Sequence, residues 1–203
     1  MTVWAIVVAA GSGSRFGGAK QFMELEGRRV VDWAVAACRA VADGGVVLVV
    51  PGAHVGDGTF ATDVVVAGGA TRSASVRAGL DAVPQDADVI VVHDGARPFA
   101  SPALFDAVVA AVRDGADGAV PGLALADTVK RVAGGRVVET LDRGELVAVQ
   151  TPQAFAAGAL RRAHAAAADA TDDAALVEAA GGRVVVVGGD PANTKITVRS
   201  DLA

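Results

Sequence analysis

Apolar residues along this chain fall into short, Val-rich runs, and the stretches between the runs carry apolar positions at every third or fourth residue. The runs are Val3 to Ala10, Val46 to Val50, Val64 to Ala67, Val89 to Val92, Gly118 to Pro121, Val147 to Gln150 and Val184 to Val187. Continuous β-branched runs of this length predict strands buried on both faces. Between them, Val31 to Val41, Ser73 to Val83, Pro102 to Arg113 and Gly158 to Ala168 show helical spacing. Strands alternating with helices predict an α/β fold, a doubly wound and mostly parallel sheet with right-handed crossovers.

One segment breaks the alternation. In "LADTVKRVAGGRVVETL", from Leu125 to Leu141, two β-prone stretches flank Gly134 and Gly135, which is a hairpin signal. Such a hairpin either projects as an arm that seeks a partner for its edges, here at about residues 123–146, or lies on the surface as an ordinary turn. No internal repeat and no Pro- or Ser-rich linker divides the chain, so residues 1–203 read as one domain.

Composition narrows the function. The 203 residues are 52% hydrophobic and 20% charged, which excludes a disordered chain. A net charge of −5, with six Phe, two Trp and no Tyr, argues against a nucleic-acid binder, which needs basic excess and stacking surface. The first apolar run lacks a basic flank and is far shorter than the roughly 20 residues that span a bilayer, so it reads as a strand, and no membrane association is expected. Cys38 is the only cysteine, which rules out an intrachain disulfide and suits a cytoplasmic protein.

The chemistry gathers where strands end. The first strand opens into "AAGSGSRFGG", a Gly-rich turn at the carboxyl end of a strand, where open α/β sheets bind ligands. An ATPase phosphate loop needs Lys and a hydroxyl after its last glycine, but Gly13 and Gly18 are followed by Ala19 and Lys20. The dinucleotide fingerprint fails at Phe16, its third glycine position, and no acidic residue closes the second strand. Arg15 and Lys20 follow the glycines, which suits a phosphoryl group better than a hydride. A second cluster, "VVHDGARPF", releases Asp94 and Arg97 from the end of a buried strand. Asp94 can hold a magnesium ion or a ribose hydroxyl, and Arg97 can hold a phosphate. For His93, a backbone hydrogen bond is the favoured reading.

Six segments in order, "AAGSGSRFGGAKQF", "GGATRSASVRAGL", "VVHDGARPF", "ADTVKR", "LDRGELVAVQTPQAF" and "NTKIT", closely resemble the cytidylyltransferases that act on 2-C-methyl-D-erythritol 4-phosphate in the non-mevalonate isoprenoid pathway. The resemblance covers almost the whole chain. It implies a Rossmann-like nucleotidyltransferase sheet, CTP and a sugar-alcohol phosphate as substrates, Mg2+ as cofactor, and a homodimer whose sites are completed by the partner's arm. On matching positions, Ala9, Ala10, Gly11 and Gly13 would wrap the triphosphate, with Arg15 and Lys20 at the α-phosphorus. Gly69, Arg72 and Ser75 would serve the nucleotide base. Asp94, Gly95 and Arg97 would serve the ribose, the metal-bound phosphates and the sugar phosphate. Thr128 and Arg143 would reach the sugar phosphate from the arm, and Lys195 would sit near the attacking phosphate.

The chain departs from the family pattern in two places. Only five positions separate Arg15 from Lys20, with Ala19 in place of a proline, and Ala70 stands where an acidic residue is common. The "ATDDAAL" stretch resembles a family segment near the sugar phosphate, which would involve Thr171, but a helix N-cap at Thr171 or Asp172 fits equally well. A ribitol 5-phosphate cytidylyltransferase and a non-catalytic nucleotide-binding protein remain the alternatives.

Overall fold

A computed structural model describes residues 1–11, 13, 16, 18–198 and 201. The chain runs β1 (Val3–Val8), β2 (Glu24–Leu25), β3 (Arg28–Arg29), α1 (Val30–Arg39), β4 (Gly45–Val50), β5 (Val64–Ala67), α2 (Arg72–Ala82), β6 (Val89–Asp94), α3 (Pro102–Arg113) and β7 (Gly118–Ala124). It continues through β8 (Lys130–Ala133), β9 (Arg136–Thr140), β10 (Val147–Val149), β11 (Gln153–Ala156), α4 (Ala157–Ala165), α5 (Asp173–Ala179) and β12 (Val184–Gly188).

The main sheet has the order β10-β7-β11-β6-β1-β4-β5, with β12 parallel to β7. β1 pairs in parallel with both β4 and β6, while β10 and β11 run antiparallel to their neighbours. Helices cover both faces. On one side Val31, Val35 and Cys38 of α1 and Phe105, Val108 and Val112 of α3 pack on Ala5, Val7, Leu48 and Val91. On the other, Val76 and Leu80 of α2, Leu160 of α4 and Val177 of α5 pack on Ile6, Val47, Ile90 and Val92. Alternate residues of β1 and β4 therefore feed opposite cores, which is why their sequences are apolar at every position.

Three strands differ from the sequence expectation of complete burial. β10 is exposed along its length, β12 leaves Val186 in solvent, and β5 is an edge strand of intermediate burial. Each lies at or near a sheet margin, where one hydrogen-bonding side or one face has no cover. Conversely β11, a four-residue strand with a polar first residue, is buried because it lies between β6 and β7.

The Leu125 to Leu141 segment forms a two-stranded ribbon, β8 with β9, apart from the main sheet. Its turn places Gly134 and Gly135 at φ 54° and 76°, the left-handed values that a two-residue hairpin demands and that glycine adopts without strain.

Candidate active site

In strand order the chain moves outward from β1 to β4 and β5, then returns to the other side of β1 with β6. The crevice at this reversal, outside the carboxyl ends of β1 and β6, is where such sheets bind ligands. A cleft of about 600 Å3 opens there. Its wall includes Ala9, Ala10, Gly11 and Gly13 from the loop after β1, Lys20 and Gln21 from the short helical turn Lys20–Phe22, and Asp94 from the end of β6. Gly69, Thr71, Arg72 and Ser75 enter from the start of α2, and Lys195 and Thr197 from the segment after β12.

The loop is braced by a residue whose role the sequence did not reveal. Gln21 is buried, and its Nε2 donates to the carbonyls of Ala9 at 2.8 Å and Gly11 at 2.9 Å. These two bonds tie the end of the loop to its beginning. Gly13 sits at φ 65°, and a Cβ there would lie 1.8 Å from the Gly18 carbonyl oxygen, so the bend excludes any other residue. Phe16 packs with Val30 and Ile196 and anchors the outer side of the loop. Arg15 lies outside the described residues.

At α2, Thr71 caps the helix by accepting from Ala74 N at 3.1 Å, and its hydroxyl donates to Asp169 at 2.6 Å. Ser75 Oγ accepts from Gly69 N at 3.2 Å and donates to the Thr71 carbonyl at 3.0 Å, which shapes the turn that faces the cleft. The helix N-terminus adds positive potential on that side.

Asp94 is the one carboxylate on the wall among the described residues. Its Oδ2 accepts from Lys195 Nζ at 2.6 Å, and its Oδ1 lies 3.5 Å from Arg72 Nε. Burial works against its charge, but Lys195 and Arg72 outweigh that and hold the carboxyl at about 2. It is therefore ionised at neutral pH and can ligate a hard cation. No group of three or more His, Cys, Asp or Glu is placed to hold a metal ion among the described residues, so an ion here would draw its remaining oxygens from a bound ligand or water. That donor set suits Mg2+, which keeps few protein ligands when it accompanies a polyphosphate.

Beneath the cleft, His93 is fully buried, and burial lowers its pKa to about 4, so the imidazole is neutral. The Arg97 carbonyl can only accept, so His93 Nε2 donates to it at 3.0 Å. Nδ1 of the same neutral ring then accepts from the Thr151 hydroxyl at 3.1 Å, and Thr151 Oγ1 in turn accepts from Asp94 N at 3.0 Å. The chain of bonds admits one tautomer. The backbone role expected for His93 is the one observed.

The remaining predicted residues stand elsewhere. Gly95 is buried behind the wall, 3.0 Å from the Ala9 methyl if it carried a Cβ. Arg97 does not line the cleft, and its Nη1 donates to the Asn193 carbonyl at 2.7 Å, holding the segment that carries Lys195. Thr128 and Arg143 are exposed on and beside the arm, and Arg143 donates to the Ala126 carbonyl. Thr171 is exposed, while Asp172 is the N-cap of α5, accepting from Ala175 N at 3.0 Å. Sequence reasoning passed over Thr151, because an isolated Thr in a loop carries no local mark of burial, and it left the role of Asp173 open.

The family profile described as "IspD: 2-C-methyl-D-erythritol 4-phosphate cytidylyltransferase" matches residues 3–203. A bifunctional enzyme IspD/IspF of Nitratidesulfovibrio vulgaris strain DP4 is 44% identical over 226 residues, covering 100% of this chain and 57% of that protein. The chain thus spans little more than half the length of the curated relatives it matches. The crystal structure of 2-C-methyl-D-erythritol 4-phosphate cytidylyltransferase from Thermus thermophilus is 36% identical, with a TM-score of 0.81 and coverage of 100% of this chain and 96% of that one. The bifunctional IspDF of Campylobacter jejuni superposes with a TM-score of 0.88 at 27% identity, over 100% of this chain and 53% of that one.

Proposed function

The chain belongs to the IspD family, the 2-C-methyl-D-erythritol 4-phosphate cytidylyltransferases, and we propose that it joins CTP to 2-C-methyl-D-erythritol 4-phosphate with release of pyrophosphate. The observation that carries this reading is the cleft itself: a glycine-rich backbone loop at the sheet's reversal point, with Lys20, Arg72 and Lys195 on a wall that holds one carboxylate.

The acceptor's phosphate is already an anion at neutral pH, so the reaction needs no strong general base. An oxygen of that phosphate attacks the α-phosphorus of CTP in line, a new P–O bond forms, and pyrophosphate leaves with the electron pair of the broken bond. The difficulty is to bring two polyanions together as charge shifts onto the phosphoryl oxygens, and that is a matter of position and electrostatics. Each cation about 4 Å from a phosphate oxygen contributes roughly 4 kcal/mol at an effective dielectric near 20. The net charge of −5 is spread over the surface and is largely screened beyond about 8 Å, so the local cations dominate.

In this reading the backbone of Ala10, Gly11 and Gly13 cradles the triphosphate, and Gly69 and Ser75 receive the base. Lys20 and Arg15 act at the α-phosphorus, and Lys195 orients the attacking phosphate. Mg2+ held by Asp94 and the triphosphate would draw charge from the phosphoryl oxygens. The acceptor's site would be completed by Arg97 and Thr171, which stand outside the cleft wall, and by Thr128 with Arg143 from a second copy's arm. The exposed valines of that arm support a homodimer, and the single, unpaired cysteine suits a cytoplasmic enzyme. Among the described residues no helix is long and apolar enough to cross a membrane.

An acceptor screen with CTP and Mg2+, read by pyrophosphate release, tests the proposal. Release with 2-C-methyl-D-erythritol 4-phosphate, and with CTP ahead of UTP or GTP, is expected. Turnover with ribitol 5-phosphate alone would reassign the acceptor, and tight CTP binding with no release would make this a non-catalytic binder.

A further inference from the structure

Behind the cleft lies a carboxylate with no solvent around it. Asp173, the first residue of α5, is 0% exposed and uses both oxygens. Oδ2 accepts from Arg72 Nη1 at 2.8 Å, and Oδ1 accepts from His164 Nε2 at 3.0 Å. His164 is itself buried, on α4. Taking these groups out of water is costly, and well-packed apolar residues at the same places would avoid the cost. Stability alone is therefore a poor reason for the cluster, and its position suggests a better one.

Arg72 begins α2 and lines the cleft. Its guanidinium is held from behind by Asp173 through Nη1, and its Nε faces Asp94 at 3.5 Å. Nη2 is buried and has no hydrogen-bond partner. His164, Asp173, Arg72, Asp94 and Lys195 thus form one continuous line of charged and polar contacts, from the α4–α5 layer to the centre of the cleft. Arg72 is the member of that line that both lines the cleft and is held from behind by a fully buried carboxylate.

We propose that Asp173, backed by His164, is a positioning residue that fixes the guanidinium of Arg72 at the cleft wall, where Arg72 meets the bound nucleotide. A planar fork already held by a buried carboxylate loses little further freedom when it meets its ligand. The proposal rests on reading the cleft as the nucleotide site.

The test compares Asp173→Asn, Arg72→Ala and the double variant for CTP binding by calorimetry, for kcat and both KM values, and for Tm. Removing the charge that orients Arg72 should weaken CTP binding and raise its KM about tenfold, as expected for one charge-assisted contact, with the acceptor's KM unchanged. In the Arg72→Ala background the same substitution should weaken CTP binding no further. A merely structural Asp173 would lower Tm in both backgrounds and leave the CTP constants alone. That result, or losses that multiply in the double variant, overturns the proposal. Should Asp173→Asn fail to fold, His164→Gln, which leaves the Asp173–Arg72 pair in place, should still raise the CTP KM about twofold to threefold, and no change would count against the role. If the enzyme uses a different triphosphate, the same coupling is read with that nucleotide, so loss of the assigned reaction and loss of Asp173's role give separate results. Failure to bind any triphosphate overturns both.

Discussion

At the cleft, Asp94, Arg72 and Lys195 each meet an opposite charge, Gln21 closes the loop on itself, and the floor is a dry hydrogen-bonded chain through Thr151 and His93. On the arm, Val132, Val137 and Val138 are 57%, 61% and 56% exposed, β8 and β9 among the described residues pair only with each other, and Thr128 and Arg143 stand in solvent. One region is finished within a single chain, and the other presents apolar side chains and open strand edges that water serves poorly. In the proposed enzyme the two meet: the finished region holds the nucleotide, and the unfinished one is completed by a second copy and completes it in turn.

Four experiments probe this contrast. The largest effect is expected at the finished region. Lys195→Ala should lower kcat by about 100- to 1000-fold, the usual loss for one preorganised cation or donor at a developing charge, and should lower CTP affinity far less. Equal losses in both would make Lys195 a ground-state contact.

The dry floor should show in the pH dependence of stability. Below pH 6.5 the unfolded chain takes up a proton at His93 that the folded chain refuses until about pH 4. Stability from this residue is thus complete above pH 6.5 and is lost as the pH falls through that window, on the order of 3 kcal/mol by its lower end. Denaturant titrations of wild type and His93→Gln between pH 7 and pH 4.5 check this, and equal slopes would mean that the floor is wetter than its geometry implies.

The arm's contribution in trans is tested by mixing. A Lys195→Ala protein and an Arg143→Ala protein, each nearly inactive, should recover roughly a quarter of the wild-type rate when mixed, since half the dimers are hybrids with one intact site of two. No recovery after subunit exchange would place a complete site in each chain.

The smallest effect on the fold itself is expected at the hairpin. Val137→Glu, on an exposed strand of the arm, should change the stability of the single chain by no more than a surface substitution does, within about 0.5 kcal/mol, while shifting the sedimentation of the protein toward the monomer. A large loss of stability with no change in mass would show that the arm packs on its own chain.

Much of this was legible in the chain. The Val-rich runs located the strands because residues buried on both faces of a parallel sheet must be apolar at successive positions, and β1 and β4 meet that rule along their whole length. The hairpin was legible because a turn of two left-handed residues favours Gly, Asn or Asp, and Gly134 and Gly135 stand between two β-prone stretches. The loop's identity followed from which residues stand after its glycines. Depth was not legible: Val147 and Val149 have the composition of a core strand and are exposed, while Gln153 begins a strand and is buried. The start of the helix at Asp173–Ala179 was legible as an N-cap at Thr171 or Asp172, and Asp172 is the cap observed, but the helix is too short for its spacing to register beyond that.

The sequence by itself determined the alternation of strands and helices, the bend at Gly13 and the chemical types available at the strand ends. These depend on neighbours within a few residues, where backbone sterics and burial periodicity act. Only the tertiary structure decided that Lys195 lies 2.6 Å from Asp94 and that Asp173 lies 2.8 Å from Arg72, pairs that are each separated by 101 positions. No local pattern can specify such a meeting, because it follows from the order in which the strands assemble and from the cost of leaving a buried charge without its partner.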